Sequence, residues 1–322
     1  MKKFSFSVNL FYASMASRLL AWIIAIRYGG APVDVSKGLF RGIDFYDRMQ
    51  LRRAIKKSIY AFYRVHGYLP SILAPKAFSE KILWAKFFSE FLVPESGNKL
   101  LTSKFIPDEV SDLVRCPRIV WHSSAPILPS NTDMVPGEYY LKANHGSGMF
   151  AKIIFPLNED ERRDLEALCE AWLNNQFGLS SGEWWYCAFQ KEILIEECVV
   201  KKTNPISCNF FVSNNKIFAI NLYRKTGDVD GSTWFDEGLT LLSYQSTNRS
   251  VVNIAEVGSD NIVKLKEYAL KIAKGFQFMR VDFLCDGSDF FLGEVTFTPG
   301  NGLTFRPYDD DVDMGRNWEI KW

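Results

Sequence analysis

The spacing of apolar residues along this chain alternates between a helical and a strand period. Residues 44–66 carry basic side chains on one face and apolar ones on the other, and Gly67 follows them, so a helix is predicted there. The same period predicts helices over residues 79–91, over residues 159–177 behind the N-cap Asn158, and over residues 259–274.

Short apolar runs bounded by turn-forming residues predict strands. One strand begins at Tyr139 and leads into a glycine loop within residues 139–150, and others cover residues 190–200, 208–213 and 216–223. Residues 279–283 and 290–298 flank a turn-forming segment and predict an antiparallel hairpin. Along the chain the predicted order is strand, helix, several strands, helix and hairpin. This is an α+β pattern, and it shows no internal repeat.

The N-terminal residues 8–26 are strongly apolar and follow Lys2 and Lys3. Arg18 interrupts this segment, so it contains no run of roughly 18 uncharged apolar residues that could span a bilayer. Residues 26–28 are a poor cleavage site for a signal peptide. We therefore expect a buried or interfacial amphipathic helix.

Charge is distributed unevenly along the 322 residues, although the formal net charge is only +1. Residues 1–67 hold twelve Lys and Arg against three Asp and no Glu, so their net charge is 12 − 3 = +9. A basic segment of this kind favours an anionic surface, such as inner-leaflet lipid, a lipid-linked sugar phosphate or an acidic glycan. The alternative is a solvated basic helix.

Composition limits the kinds of site that the chain can carry. Hydrophobic residues make up 47% and charged residues 23%, as in a globular chain of two or three subdomains. The six cysteines contain no CxxC pair and predict reduced, buried thiols in a cytosolic protein. The three histidines show no metal-ligand spacing, which argues against a zinc site.

The predicted hairpin carries candidate metal ligands. Arg280 and Asp282 are two residues apart and therefore lie on one face of their strand. The returning strand can bring Glu294 close to Asp282. Two converging carboxylates hold a hard cation, most often Mg²⁺ bound to nucleotide phosphates.

Two further segments suggest nucleotide binding, although each is a weak signal alone. Gly146, Ser147 and Gly148 follow a strand and offer backbone N–H groups suited to phosphates, with Lys142 just before them. Glu196 and Glu197 end an apolar strand, where acids can bind ribose hydroxyls. The alternatives are an ordinary glycine turn, a solvated lysine and a solvated strand end.

The order of these segments resembles the ATP-grasp superfamily, and more narrowly its TupA-like, polysaccharide-biosynthesis branch. Residues 78–86 (FSEKILWAK) are similar to that branch's F-x-E-K-I-x-W-x-K, and residues 101–104 to its T-D-K. Residues 234–236 follow Arg224 as its aromatic-aromatic-Asp segment does, and residues 313–315 match its D-x-G. The resemblance covers about residues 75–315.

This resemblance implies an ATP-grasp fold, with two α+β subdomains that clasp ATP and an N-terminal helical extension. The extension would cover residues 1–74 and the first part of the ATP-grasp region residues 75–138. The lid subdomain with the glycine loop would cover residues 139–200, and the C-terminal subdomain with the metal site residues 201–322.

The resemblance also implies roles for individual residues. Lys104 and Lys142 would contact the ATP phosphates under a flap of Gly146, Ser147 and Gly148. Glu196 and Glu197 would lie at the adenine–ribose hinge. Asp282 and Glu294 would hold Mg²⁺. Arg280 would face the reacting acyl phosphate, and Arg224 would assist with phosphates or an acidic substrate.

The chain departs from the family pattern at two places. Thr296 stands where many ATP-grasp enzymes have Asn, two residues after the metal-binding Glu. A strand that in this branch often reads D-Y-K-F-F here begins with Ser207, Cys208 and Asn209. The missing acid and lysine predict either a changed substrate or weakened catalysis.

The function implied is an ATP-dependent carboxylate–amine ligase of surface polysaccharide biosynthesis. It would join an amino acid or amine to a uronic-acid carboxyl of a polysaccharide or its lipid-linked precursor, at the cytoplasmic side of the membrane and without a nucleic-acid partner. One alternative is a non-catalytic ATP-binding protein of a polysaccharide assembly complex. Another is a nucleotide-sugar glycosyltransferase that uses residues 309–311 or 228–230 as a D-x-D motif, although we expect both segments to be solvated loops.

Overall fold

The computed structural model describes residues 2–30, 41–90, 94–199, 205–226, 229–245, 250–287 and 289–321. The chain forms two compact units. The first consists of residues 1–93, 178–188 and 297–322, and the second of residues 94–177 and 189–296.

Within the described ranges the α-helices are α1 (Lys2–Tyr28), α2 (Gly42–Phe45), α3 (Arg48–His66), α4 (Phe78–Phe88), α5 (Glu159–Asn174), α6 (Ser259–Ile272) and α7 (Tyr308–Arg316). The strands are β1 (Ile119–Ser123), β2 (Gly137–Ala143), β3 (Phe150–Phe155), β4 (Ile193–Glu197), β5 (Ile206–Ser213), β6 (Lys216–Thr226), β7 (Val229–Phe235), β8 (Phe278–Asp286) and β9 (Asp289–Thr296). This mixture of helices and antiparallel sheets confirms the predicted α+β class.

The second unit contains two antiparallel sheets. The smaller has the strand order β1-β4-β2-β3, and one of its faces packs against α5 in a core that includes Leu141, Ile195 and Trp172. The larger has the order β7-β6-β5-β8-β9, and α6 packs against its central strands.

The helical first unit is held together by the segment that resembles the family's N-terminal motif. Glu80 is buried, and its carboxylate accepts hydrogen bonds from the backbone N–H groups of Ser71, Lys76 and Ala77 at 2.8–3.1 Å. Lys86 is also buried and donates to Asn301 Oδ1 at 2.6 Å. Both charged residues are therefore structural, because each forms hydrogen bonds with polar groups of neighbouring residues inside the unit.

The acidic segment at residues 309–311 corrects the expectation of a solvated loop. It forms the first turn of α7, and Asp311 is buried. Its carboxylate accepts hydrogen bonds from the backbone N–H and the hydroxyl of Ser79, at 3.2 Å each. A D-x-D metal motif needs exposed carboxylates, so this segment does not provide one. Of the other candidate, Asp228 lies outside the described residues.

Most predicted helices agree with the structure, but their ends differ. The helix predicted over residues 44–66 begins at Arg48, because Asp47 caps it by accepting from the N–H groups of Met49 and Gln50. Asn158 caps α5 as predicted, but the helix ends at Asn174 and not at Phe177. The strand predicted from Tyr139 into the glycine loop is β2, which begins at Gly137 and ends at Ala143, just before the loop.

Candidate functional site

The predicted carboxylate pair lies at the centre of the β8–β9 hairpin. Asp282 and Glu294 are directly opposite each other in the ladder, and Arg280 is opposite Thr296. A β-bulge at Gly293 shifts the register just beyond this pair, a feature common beside active sites. Asp282 is buried while Glu294 is exposed, so the pair forms one wall of an open site.

Arg280 fixes the position of Asp282. Its guanidinium donates from Nε to Oδ1 at 2.7 Å and from Nη2 to Oδ2 at 2.5 Å. Burial raises the pKa of Asp282 to about 6, although the Arg280 charge opposes this shift. The Thr296 hydroxyl donates to Glu294 Oε1 at 2.8 Å. An ionised carboxylate accepts at about four positions, so acceptor positions for a cation remain on Asp282.

A row of uncharged polar side chains continues from Asp282 across the larger sheet. Asn209 is directly opposite Asp282 in the ladder, and Asn221 is directly opposite Asn209. Asn209 donates to Asn221 Oδ1 at 3.3 Å and accepts from the Ser207 hydroxyl at 2.9 Å. Asn221 in turn donates to the Ser232 hydroxyl at 2.9 Å. The residues that replace the family's acid and lysine thus hydrogen-bond to one another beside the carboxylate pair.

The glycine loop connects β2 to β3. Both Gly146 and Gly148 have positive φ, +76° and +75°, which favours glycine. A Cβ on Gly146 would lie 2.2 Å from Met149 Cε, whereas no described atom lies within 4 Å of a Cβ placed on Gly148. The first glycine is therefore packed into the fold, and the second presents its backbone to open space.

Asn144 and His145 hold the start of this loop. Asn144 accepts from the Glu192 N–H and donates to the Gln190 carbonyl, both at 2.9 Å. His145 is buried with its ring nitrogens facing Asn144 Oδ1 and the Trp172 carbonyl. Two acceptors favour a protonated ring, but burial, followed by the Lys191 charge, lowers the pKa of His145 to about 4.

Two lysines and an acid converge near this loop. Lys142 forms an ion pair with Glu196 on the face of the smaller sheet away from α5. Lys99 Nζ donates to the Gly146 carbonyl at 2.7 Å. Burial lowers the pKa of Lys99 to about 8, and the charge of Glu294 opposes this shift while that of Lys142 reinforces it. Charged side chains of both sheets therefore act on Lys99.

Lys99 had no distinguishing signal in the sequence. It begins the 3-10 helix Lys99–Phe105, which packs against β9 and whose first N–H donates to the Asn144 carbonyl at 2.9 Å. Lys104, assigned to the phosphates by resemblance, is exposed near the end of the same helix. Lys99 is therefore a further candidate for contact with phosphates, brought to the loop by tertiary packing, and the role assigned to Lys104 stays a prediction.

Two other predicted residues lie away from this convergence. Glu197 accepts from the Arg118 N–H at 3.0 Å, and neighbouring strand residues point to opposite faces, so it does not share the face of Glu196. Arg224 forms an ion pair with Glu256. It is three residues from Asn221, which places it on the opposite face of the larger sheet from Asp282. The roles assigned to these two residues stay predictions.

The donor set fits a magnesium ion that is also bound by phosphates. Among the described residues, no three His, Cys, Asp or Glu side chains are grouped so as to hold a metal ion. Asp282 and Glu294 supply two carboxylates, and Mg²⁺ in nucleotide sites is bound through one or two carboxylates plus substrate phosphates.

A family model for TupA-like ATP-grasp proteins matches residues 95–319. The chain belongs to the TupA-like ATP-grasp family. The match includes both sheets, the glycine loop and the carboxylate pair, so the predicted family and fold are confirmed. Residues 78–86, which also resemble this family, lie before the matched region.

Solved structures similar to this TupA-like ATP-grasp chain include three ligases. D-alanine–D-alanine ligase from Bacillus anthracis is 17% identical, with 64% of this chain and 58% of that chain covered and a TM-score of 0.38. D-alanyl-alanine synthetase A from Vibrio cholerae is 16% identical, with 69% and 61% covered and a TM-score of 0.40. The ATP-grasp ligase PsnB, complexed with minimal precursor, is 13% identical, with 69% and 59% covered and a TM-score of 0.38.

The chain spans about three fifths of the length of these ligases. With overlaps this partial, the family assignment rests on the family model. Among curated proteins, none matches the chain.

Proposed function

We propose that this protein is an ATP-dependent carboxylate–amine ligase. The observation that carries the proposal is the position of Lys99, which hydrogen-bonds to the glycine loop from a 3-10 helix that packs against β9, the strand of Glu294. A phosphate-binding loop and a cation-binding pair acting at one place suit a nucleoside triphosphate.

In this proposal ATP is bound by the smaller sheet and the metal ion by the larger one. Lys142 and Lys99 lie near the phosphates, and the exposed backbone at Gly148 covers them. Glu196, on the same face as Lys142, binds the ribose end. Asp282 and Glu294 would hold Mg²⁺, and the ion would supply positive charge that neutralises the phosphoryl group during transfer.

The proposed reaction activates a carboxylate. A carboxylate oxygen of the substrate attacks the γ-phosphorus of ATP, and the bond to the β,γ-bridging oxygen breaks, giving an acyl phosphate and ADP. An amine then attacks the acyl carbon, loses a proton and expels inorganic phosphate, which leaves an amide. Arg280, held in place by Asp282, is suited to stabilise the oxyanion of the tetrahedral intermediate.

The proposed carboxylate belongs to a uronic acid of a surface polysaccharide or its lipid-linked precursor, and the proposed amine is an amino acid or a simple amine. The family resemblance supports the uronic acid as the carboxylate substrate. The +9 charge of residues 1–67 supports an anionic partner at the cytoplasmic face of a membrane. The uncharged row at Asn209 and Asn221 suits the hydroxyl groups of a sugar.

The first test compares the melting temperature with Mg²⁺ and ATP, with the same mixture plus EDTA, and with Mg²⁺ and a UDP-sugar. A ligand that binds the native state raises the melting temperature, so we expect a shift with ATP that EDTA removes. Phosphate release is then screened over uronic acids and amines.

Three outcomes distinguish the proposal from its rivals. Phosphate release that requires both an acid and an amine supports the ligase. An ATP shift without turnover for any acid–amine pair would favour the non-catalytic ATP-binding protein, which the replacements at Ser207 and Asn209 make a specific alternative. A shift with the UDP-sugar alone would favour a glycosyltransferase and overturn the proposal.

A further inference from the structure

Helix α1 exposes a continuous stripe of large apolar side chains. Its members are between 44% and 65% exposed: Phe11, Tyr12, Met15, Leu19, Trp22, Ile23 and Ile26. At about 100° per residue they fall within an arc of about 120° on the helix surface. Exposed apolar surface of this extent in a soluble protein marks an interaction site.

The opposite side of α1 is already occupied. Small residues recur there at every fourth position, and Ala13, Ser17, Ala21 and Ala25 are buried. This side of the helix packs against α3, and Arg48 of α3 donates to the Gly29 carbonyl at 3.2 Å, just beyond the end of α1. The stripe therefore lies outside the small-residue contact between α1 and α3.

Cations surround the stripe. Arg18 and Arg27 lie just outside its two edges on α1, and both are exposed. A basic groove of about 360 Å³ runs between α1 and α3 and is lined by Arg53, Lys56 and Lys57. Neither α1 nor α3 contains an acidic residue. An apolar stripe flanked by Lys and Arg is the pattern of a helix that lies in the interface of an anionic bilayer.

A second groove extends the apolar surface on the other side of α1. It has a volume of about 610 Å³ and is lined by Tyr12, Met15 and Leu19 of α1 together with Tyr63 and Leu69. Acyl chains or the glycerol region of a lipid could occupy such a groove, since its lining is almost entirely apolar.

The same observations disfavour two other occupants. A second copy of the chain would bring two segments of net charge +9 together, and like charges across an interface oppose association. By length and composition residues 9–28 could span a membrane, with a mean hydropathy of 1.4. A spanning helix would have to leave α3 and bury Arg18, whereas α1 is packed on α3 along its small residues.

We infer that the stripe of α1 inserts into the surface of an anionic lipid bilayer, with the cations of α1 and α3 against the headgroups. This surface deepens the proposed function, on which it rests for its purpose, because it would bring the enzyme to a lipid-linked acid. Vesicle binding itself needs neither ATP nor an acceptor, so the two proposals can fail separately.

The test measures co-sedimentation of the full chain with vesicles of phosphatidylcholine, with and without phosphatidylglycerol. Wild type should bind the anionic vesicles and lose affinity as salt is raised. The double variant Leu19→Glu, Trp22→Glu should bind at least about a hundredfold more weakly, because each side chain contributes about tenfold through apolar burial.

The matched control is Leu113→Glu, Val263→Glu. Both residues are exposed apolar residues of the second unit, and the change in net charge is the same. The control should bind like wild type, and all three proteins should keep the same melting temperature and the same shift with ATP.

Four results would overturn the inference: wild type that ignores anionic vesicles, equal loss of binding in the control, a dimer in solution that the α1 variant dissociates, or membrane-bound protein that resists alkaline extraction. The last would mean that α1 spans the bilayer.

Discussion

The ammonium group of Lys99 donates a 2.7 Å hydrogen bond to the carbonyl oxygen of Gly146, and so connects a 3-10 helix that packs on β9 to the glycine loop of the other sheet. Nothing in the local sequence distinguishes this lysine from Lys104. Its position makes it the better candidate for contact with nucleotide phosphates.

Replacing Lys99 with Met should therefore weaken Mg²⁺-ATP binding by about tenfold or more, as expected for the loss of a charged hydrogen-bond donor. The same change at the exposed Lys104 should leave binding close to wild type. Isothermal titration with a non-hydrolysable ATP analogue measures both. Equal effects at the two positions, or a larger effect at Lys104, would favour Lys104 as the lysine that contacts the nucleotide phosphates.

Glu294→Gln should separate metal binding from folding. Glu294 is exposed, so its substitution should change the free energy of unfolding by less than about 0.5 kcal/mol. Turnover should fall by about a hundredfold, because a bound metal ion contributes several kcal/mol to the stabilisation of the transition state. Asp289→Asn, an exposed acid on the same strand, is the control and should keep full activity. Unfolding of the Gln variant would show that Glu294 is structural.

Asp282→Asn should behave differently, because Asp282 is buried against Arg280. Removing its charge leaves the guanidinium without its anionic partner, so we expect a loss of about 3 kcal/mol in stability in addition to lost turnover. Chemical denaturation of this variant beside Glu294→Gln checks the difference. Identical unfolding midpoints for the two variants would argue against the Arg280–Asp282 pair.

His145 predicts a dependence of stability on pH. Its ring is neutral in the folded protein down to pH about 4, whereas the unfolded chain binds the proton below about pH 6.5. The unfolded state therefore gains protons first, and stability should be lost as the pH falls from about 6.5 to 4. His145→Gln should flatten this part of the profile of melting temperature against pH. Parallel profiles for the two proteins would contradict the buried neutral ring.

Glu80→Ala should destabilise the first unit by about 3 kcal/mol, since three backbone N–H groups, one buried and two partly buried, lose their acceptor. Glu170 of α5 is exposed, and Glu170→Ala should stay within about 0.5 kcal/mol of wild type. Thermal or denaturant unfolding distinguishes them. A small loss at Glu80 would mean that water replaces the carboxylate.

Local patterns were sufficient to predict the hairpin of β8 and β9. Alternation placed Arg280 and Asp282 on one face, and a turn of suitable composition put Glu294 opposite Asp282. The turn between β5 and β6 was also predictable, because Asn214 and Asn215 both adopt positive φ there. Features within about ten residues of each other were thus accessible from sequence.

Features that depend on residues far apart in the chain could not be predicted from the sequence. Asp309, Asp310 and Asp311 look like a solvated loop until Ser79, over 200 residues earlier, is placed against Asp311. The face of Arg224 follows from the pairing of β6 with β5, which fixes Asn221 and not Arg224 beside the carboxylates. Sequence alone could not have chosen Lys99, because its partner Gly146 is 47 residues away.

Helix α1 combines small residues on its buried side with large apolar residues on its exposed side. Two kinds of constraint on amino-acid choice follow. On the side that meets α3, a larger side chain would push the helices apart, so size is limited and polarity less so. On the stripe, side chains of different sizes are tolerated, but charged ones are not, because they would lose the contact with lipid. Among natural variants of this helix, we therefore expect positions on the α3 side to be restricted in side-chain volume and positions on the stripe to be restricted in polarity.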